Sequence, residues 1–127
     1  MNLNARILVV DDEPMLRRLM SDRMQYWGCA IEEASTGEEA LEKLGKSSFD
    51  LVLLDLKMPG IGGLGTLTRM REIGDDTDVV VLTAHGSIEA AVEAVQAGAA
   101  DFLLKPADFE LLKNTVQRFS MRAGFHV

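Results

Sequence analysis

Five short apolar runs, separated by longer stretches of helical periodicity, constrain the fold of this chain more than any other feature. The runs have three or four residues each and lie at 7–10, 29–31, 51–54, 79–82 and 102–104, and those of four residues are rich in Val, Leu and Ile. Runs of this kind are typical of strands buried on both faces, as a parallel sheet requires. The second run continues into Glu32 and Glu33, which indicates an edge strand.

The stretches between the runs carry apolar residues at helical spacing, bounded by caps and helix breakers. Pro14 opens the first helix, Thr36 and Glu39 form a capping box for the second, and Asp108 caps the fifth. In the fourth helix, with Ser87 as its cap, one apolar stripe is predicted to be buried: Ile88, Ala91, Val92 and Val95. Three polar residues, either a partner surface or a solvated face, lie opposite: Glu89, Glu93 and Gln96.

Strict alternation of strands and helices predicts an α/β sandwich with a parallel sheet, right-handed crossovers and helices on both faces. A length of 127 residues favours one domain. We assign residues 1–122 to it and expect 123–127 to be a tail or the start of a linker.

Composition excludes several classes of function. A net charge of −7 repels a phosphate backbone, so no direct contact with nucleic acid is expected. The single cysteine, Cys29, cannot form an internal disulfide, and no apolar run is long enough for a membrane span or a secretion signal. We therefore expect a compact cytoplasmic domain.

Polar side chains follow four of the predicted strands, at the point where each strand ends. Asp11 and Asp12 follow the first run, Asp55 the third, Thr83 the fourth and Lys105 the fifth. Ligands of open parallel sheets bind at this carboxyl edge. We therefore expect three carboxylates, a hydroxyl and an amine to share one site.

Three carboxylates in one site need a compensating cation. Two of them about 5 Å apart repel by roughly 3 kcal/mol at an effective dielectric constant of 20. Lys105 offsets one charge, and Mg²⁺ suits the oxygen ligands, whereas the chain has no His/Cys cluster for zinc. One carboxylate could then attack phosphorus while Lys105 and Thr83 hold the phosphoryl oxygens.

Over essentially its whole length the chain resembles the receiver domain of two-component response regulators. The matching segments are Val9-Val10-Asp11-Asp12-Glu13-Pro14, Leu54-Asp55-Leu56-Lys57-Met58-Pro59-Gly60, Thr83-Ala84 and Lys105-Pro106. The resemblance implies a flavodoxin-like doubly wound (βα)5 fold with strand order 2-1-3-4-5. It is greatest to the receivers of NtrC-type sigma-54-dependent transcriptional activators, although the chain lacks the ATPase phosphate-binding loop.

The resemblance implies that Asp55 accepts a phosphoryl group from the phosphohistidine of a sensor histidine kinase. By the same resemblance, Asp12, Asp55 and the backbone carbonyl of Lys57 ligate Mg²⁺, and Asp11 acts through metal-bound water. Lys105 would pair with the phosphoryl group. Such a domain is not a classical enzyme, since it catalyses only its own phosphotransfer and autodephosphorylation.

The resemblance also implies a switch. The Thr83 hydroxyl turns toward the phosphoryl oxygen, Phe102 rotates into the vacated space, and the Lys105–Pro106 bond is cis. The output face comprises the fourth helix, the fifth strand and the fifth helix. It would act on an effector domain, a partner protein or a second copy of the chain, in transcription regulation.

Gly62 departs from the family pattern, and other classes of protein are alternatives to a phosphorylated receiver. Gly62 replaces the Asp or Asn of many receivers, so a weaker cap on the third helix is expected. A Mg²⁺-dependent phosphohydrolase with an aspartyl nucleophile is an alternative, although Lys57 stands where many such enzymes carry a second Asp. A degenerate receiver that serves only as an interaction module is another. A flavin or nucleotide domain would need a glycine-rich loop where Asp11 and Asp12 stand.

Overall fold

The structure, a computed structural model, describes residues 2–84, 88–105 and 108–124, with side chains to residue 120. Strands and helices alternate along the chain, as predicted. They are β1 (Arg6–Val10), α1 (Pro14–Tyr26), β2 (Ala30–Ala34), α2 (Gly37–Lys46), β3 (Leu51–Asp55), α3 (Gly62–Glu72), β4 (Val79–Ala84), α4 (Ile88–Gln96), β5 (Asp101–Lys105) and α5 (Phe109–Gly124).

The strands form one sheet of order β2-β1-β3-β4-β5, in which all four neighbouring pairs are parallel. The predicted strand order is confirmed. β2 lies at an edge, as its polar residues predicted, and two of its five residues are glutamates. β1, β3 and β4 lie inside the sheet, where their apolar runs are buried on both faces.

Alternating side chains of the strands divide the core into two layers. In β1, Ile7 and Val9 belong to one layer, whereas Leu8 and Val10 belong to the other. Helices α1 and α5 cover the first layer with Met20, Met24, Leu112, Val116 and Phe119. Helices α2, α3 and α4 cover the second with Ala40, Leu67, Met70 and Ala94. The sheet therefore lies between two helical layers.

The predicted buried stripe of α4 is wrong in three of its four residues. Ala91 is buried and Ala94 joins it, but Ile88, Val92 and Val95 are 53%, 50% and 46% exposed. Alanines let the helix approach the sheet closely, which turns the larger side chains outward. Because apolar residues occupy more than half of the helix circumference, periodicity did not show which part of that arc is buried. The three polar residues expected on the surface, Glu89, Glu93 and Gln96, are exposed.

Side-chain caps at two helices follow the sequence closely. Thr36 Oγ1 accepts a hydrogen bond from the Glu39 amide at 3.0 Å, but the Glu39 carboxylate accepts from Ser35 N instead of completing the capping box at Thr36. Asp108 Oδ1 accepts from the amides of residues 110 and 111 at the start of α5. Helix α3 has no side-chain cap, as expected, but Ile61 and not Gly62 occupies its N-cap position.

Some predictions fall outside the described residues. These are the cap at Ser87, the Lys105–Pro106 bond and the last residues of the tail, 125–127. Helix α5 continues to Gly124, two residues past the predicted domain boundary, which stays a prediction. Within the part of the chain that the structure describes, no helix is long and apolar enough to cross a membrane.

Candidate functional site

The structure brings the predicted site residues together at the carboxyl edge of the sheet. Asp11 directly follows β1, Asp55 and Lys105 end β3 and β5, and Thr83 lies near the end of β4. Asp11, Asp12 and Asp55 each offer a carboxylate oxygen, and these oxygens lie within 4.8 Å of one another. Neighbouring parallel strands therefore concentrate the negative charge of three separate residues at one point.

The donor set of this cluster fits a hard divalent cation. Asp11 and Asp55 are buried, whereas Asp12 is exposed, so the cluster opens to solvent on one side. Asp11 Oδ2 is fully buried, and Lys105 Nζ lies 3.2 Å from it as an ion pair. Burying carboxylates is costly unless their charge is balanced, and three clustered carboxylates are the ligands that Mg²⁺ prefers. Asp11, Asp12 and Asp55 can therefore hold such an ion.

Asp55 has a strongly perturbed environment. Its burial, and then the nearby charge of Asp11, raise its pKa to about 7. Two contacts oppose this rise: Lys105 Nζ lies 3.4 Å from Asp55 Oδ2, and the amide of Lys57 donates to Asp55 Oδ1 at 3.2 Å. These two contacts orient the Asp55 carboxylate and compensate its negative charge only in part.

Lys105 is the cation at the centre of the site. Its Nζ lies 3.2 Å from Asp11 Oδ2 and 3.0 Å from Glu13 Oε1, in addition to its contact with Asp55. Burial alone would lower its pKa, but the hydrogen bond to Glu13 and the charges of Asp11 and Asp55 outweigh it and raise the pKa. Lys105 therefore stays protonated. Glu13 was not predicted as its partner, although it adjoins the two aspartates in sequence.

A pocket of about 240 Å³ opens beside this cluster, lined by Asp55, Lys57, Thr83, Ala90 and Lys105 among others. Its volume is several times the roughly 30 Å³ that one water molecule occupies in the liquid. Asp55, Thr83 and Lys105 therefore share the wall of one pocket that is large enough for a small anion. Ala90 connects the same pocket to helix α4.

Thr83 and Phe102 lie on the same face of the sheet in neighbouring strands. Thr83 pairs with Leu104, and Phe102 pairs with Val81, so the two residues are diagonal neighbours. Thr83 is buried, while Phe102 is half-buried and packs against the layer that α4 covers. A movement of the Thr83 side chain can therefore affect the packing of Phe102 and α4, because all three lie on the same face of the sheet.

Gly63 is a site-supporting residue that the sequence analysis missed. Its amide donates to Leu56 O at 3.2 Å, and a Cβ atom there would lie 2.6 Å from Leu56 Cα and closer still to Asp55 O. Only glycine lets the start of α3 pack this tightly on the segment that follows Asp55. The pair Gly62-Gly63 shortly after Pro59-Gly60 was the available signal.

Comparison with known proteins gives a consistent result. Residues 7–117 match the family described as the response regulator receiver domain. Sporulation initiation phosphotransferase F of Bacillus subtilis (strain 168) is 33% identical over 117 residues, covering 92% of this chain and 94% of that protein. The receiver domain of NtrX from Brucella abortus is 32% identical with a TM-score of 0.85, covering 91% and 98% of the two chains.

A longer relative is transcriptional regulatory protein ZraR of Escherichia coli (strain K12), which is 37% identical over 115 residues. The match covers 91% of this chain but 26% of ZraR, so the chain spans about a quarter of that relative's length. The similarity to ZraR and to NtrX confirms the expected likeness to receivers of the NtrC type.

Proposed function

This chain belongs to the response regulator receiver domains of two-component systems, and on that premise we propose that it is a signalling switch phosphorylated on Asp55. The donor is the phosphohistidine of a sensor histidine kinase. An Asp55 carboxylate oxygen attacks phosphorus, the phosphorus–nitrogen bond to the kinase histidine breaks, and its electron pair returns to the leaving imidazole. The products are an aspartyl phosphate and a free histidine.

One observation carries the proposal: a buried aspartate faces an open pocket with a lysine amine 3.4 Å away. The Lys57 amide orients the carboxylate, and protonated Lys105 neutralises charge on the transferred group. Thr83 lines the same pocket, and its hydroxyl would turn toward a phosphoryl oxygen there. These groups hold the reacting atoms, and Asp55 attacks in its ionised form.

We propose that the cation is Mg²⁺, held by Asp12, Asp55 and the backbone carbonyl of Lys57, with Asp11 acting through a metal-bound water. When bound, the positive charge of this ion would stabilise the negative charge on the phosphoryl oxygens. The burial of Asp11 and the mutual closeness of the three carboxylates support this assignment. The domain catalyses only its own phosphorylation and dephosphorylation.

The output, in this proposal, passes through α4, β5 and α5. Phosphorylation draws the Thr83 hydroxyl toward the pocket, and Phe102 moves into the space it leaves, which shifts the population of α4 positions. The exposed apolar residues of α4, Ile88, Val92 and Val95, support this face as a docking surface. Its partner is an effector domain, a partner protein or a second copy of the chain, in transcription regulation in the cytoplasm.

Phosphorylation of the purified chain tests the proposal. We expect acetyl phosphate with Mg²⁺ to add one phosphoryl group to the wild-type chain, read by intact mass, and expect none in Asp55→Asn. The matched control is Asp22→Asn, which changes an exposed aspartate of α1 and should label like wild type. EDTA should prevent labelling of every variant.

Labelling of Asp55→Asn at the wild-type level would refute the assignment of the phosphoacceptor. No labelling of the wild type by either acetyl phosphate or a histidine kinase would instead identify the chain as a degenerate receiver. A chain that continuously hydrolyses small phosphate esters in the same assay would be a phosphohydrolase.

A further inference from the structure

We propose that Arg17 is a positioning residue for the cation site, because it fixes the peptide that joins Asp11 to Asp12. The inference rests on the proposed function and extends it to a side chain outside the pocket. Arg17 lies in α1, after the turn that follows the two aspartates. Its side chain is 19% exposed, which is unusual for an arginine on the surface of a small domain.

Two charge-assisted hydrogen bonds fix the direction of the Arg17 guanidinium. Nη1 donates to the backbone carbonyl oxygen of Asp11 at 2.7 Å, and Nε donates to Glu33 Oε1 at 2.8 Å. Bonds of this kind are about twice as strong as neutral ones, and the planar guanidinium sets both angles at once. Glu33 lies in β2, so Arg17 links the site to the edge strand.

The bond to Asp11 acts at the point where the sheet stops holding the chain. The last paired residue of β1 is Val10, opposite Ala34. The Asp11 amide still donates to Ala34 O at 3.1 Å, but its carbonyl lies beyond the strand register and is held by Arg17. That carbonyl belongs to the peptide between Asp11 and Asp12, so its orientation sets where both carboxylates point.

The neighbouring Arg18 provides a matched control. Its side chain is 71% exposed, and Nη1 approaches Glu33 Oε2 only to 3.7 Å. The two arginines carry the same charge, are adjacent in sequence and contact the same glutamate. Only Arg17 contacts the backbone of an aspartate in the site. A difference between matched variants therefore reports that contact.

Charge alone predicts the opposite result from positioning. A positive side chain close to the carboxylates repels a divalent cation, so its removal would tighten Mg²⁺ binding if electrostatics dominated. Positioning predicts that removal weakens binding, since substitutions of residues that orient metal ligands typically cost 10–100-fold in affinity. The sign of the change thus separates the two roles.

Calorimetric titration with Mg²⁺ tests the inference. We expect Arg17→Gln to bind Mg²⁺ about 10-fold more weakly than wild type. The Mg²⁺ affinity of Arg18→Gln should stay within about twofold of wild type. That of Arg17→Lys should fall between the other two variants, because an ammonium keeps the positive charge but lacks the planar pair of N–H donors of a guanidinium. Mg²⁺ binding by Arg17→Gln that is as tight as, or tighter than, that by Arg18→Gln would overturn the inference.

Hydrogen exchange in the metal-free chain gives a second readout. The Glu13 amide donates to Asp11 Oδ1 at 2.9 Å. Misplacement of Asp11 should therefore speed hydrogen exchange of the Glu13 amide in Arg17→Gln and not in Arg18→Gln. Equal exchange in the two variants would count against positioning. Should Arg17→Gln unfold at the assay temperature, Arg17→Lys decides alone: weakened Mg²⁺ binding supports the inference and wild-type binding overturns it.

The same experiments distinguish failure of the inference from failure of the proposed function. If the wild type neither binds Mg²⁺ nor is labelled by acetyl phosphate, the proposed function is wrong. The exchange rates then still show whether Arg17 holds Asp11. If the wild type does both and the Arg17 variants match it, only the inference is wrong.

Discussion

Asp55 keeps a carboxylate almost completely buried beside Asp11, and a fold retains such a residue only at a cost in stability. We expect Asp55→Asn to be more stable than wild type in EDTA by about 1–3 kcal/mol. The neutral amide removes both the burial penalty of a charge and the repulsion from Asp11, and its oxygen can still accept from Lys57. Urea unfolding at pH 8 measures the difference.

The exposed control Asp22→Asn should leave the free energy of unfolding within about 0.5 kcal/mol of wild type. A less stable Asp55→Asn would mean that the pairing with Lys105 outweighs the burial and repulsion, contrary to the raised pKa of Asp55.

Single residues also show what the sequence can and cannot predict. The aspartates, Thr83 and Lys105 were predictable because each directly follows or ends a recognisable apolar run. The hydrogen bond of Arg17 to a carbonyl, and the salt bridge of Glu13, were not, because they depend on where α1 places side chains relative to a loop. From sequence alone, a charged residue near the start of a helix is predicted to be exposed to solvent, because its partners are not known.

At the scale of elements, helix α3 depends on Gly63 for its close packing against the backbone of Asp55 and Leu56. We expect Gly63→Ala to destabilise the domain by about 2 kcal/mol or more and to slow phosphorylation, since the new Cβ would overlap the backbone after Asp55. The opposite is expected of Gly45→Ala in α2, where a Cβ meets nothing within 4 Å.

Gly45→Ala should raise the free energy of unfolding, by up to about 0.5–1 kcal/mol, because alanine loses less backbone entropy in a helix. Thermal and urea unfolding of both variants check the pair. Equal stability of Gly63→Ala and wild type would show that α3 can shift away from the Asp55 segment without loss.

The corrected orientation of α4 makes a prediction of its own. Val92→Ser should change stability by no more than about 0.5 kcal/mol, because this valine is half exposed. Ala94→Leu should cost about 1–3 kcal/mol, since it overfills the layer between α4 and the sheet. A large loss in Val92→Ser with none in Ala94→Leu would restore the face originally predicted.

The fold was more predictable than the faces of its helices. Buried parallel strands give continuous apolar runs that few other elements produce, so the sheet and its polar edge strand followed from the sequence. Helix α4 did not, because alanine is compatible with either face and only the distance to the sheet decides which residues are buried.

At the scale of the whole molecule, cation binding should raise the free energy of unfolding and the melting temperature. Mg²⁺ at ten times its dissociation constant adds about 1.4 kcal/mol, which corresponds to roughly 3–6 °C in the melting temperature of a domain of this size. Sodium chloride at matched ionic strength controls for general screening of the net charge of −7. An identical melting curve in both salts would argue against the carboxylate cluster as a Mg²⁺ site.

The contact between Lys105 and Glu13 spans 92 residues of sequence, and Lys105 ends the last strand of the sheet. Every earlier strand can be in place while the lysine that completes the site is still absent. A chain emerging from the ribosome should therefore be unable to accept a phosphoryl group until its final strand joins the sheet. A fragment that ends before β5 should never acquire this ability.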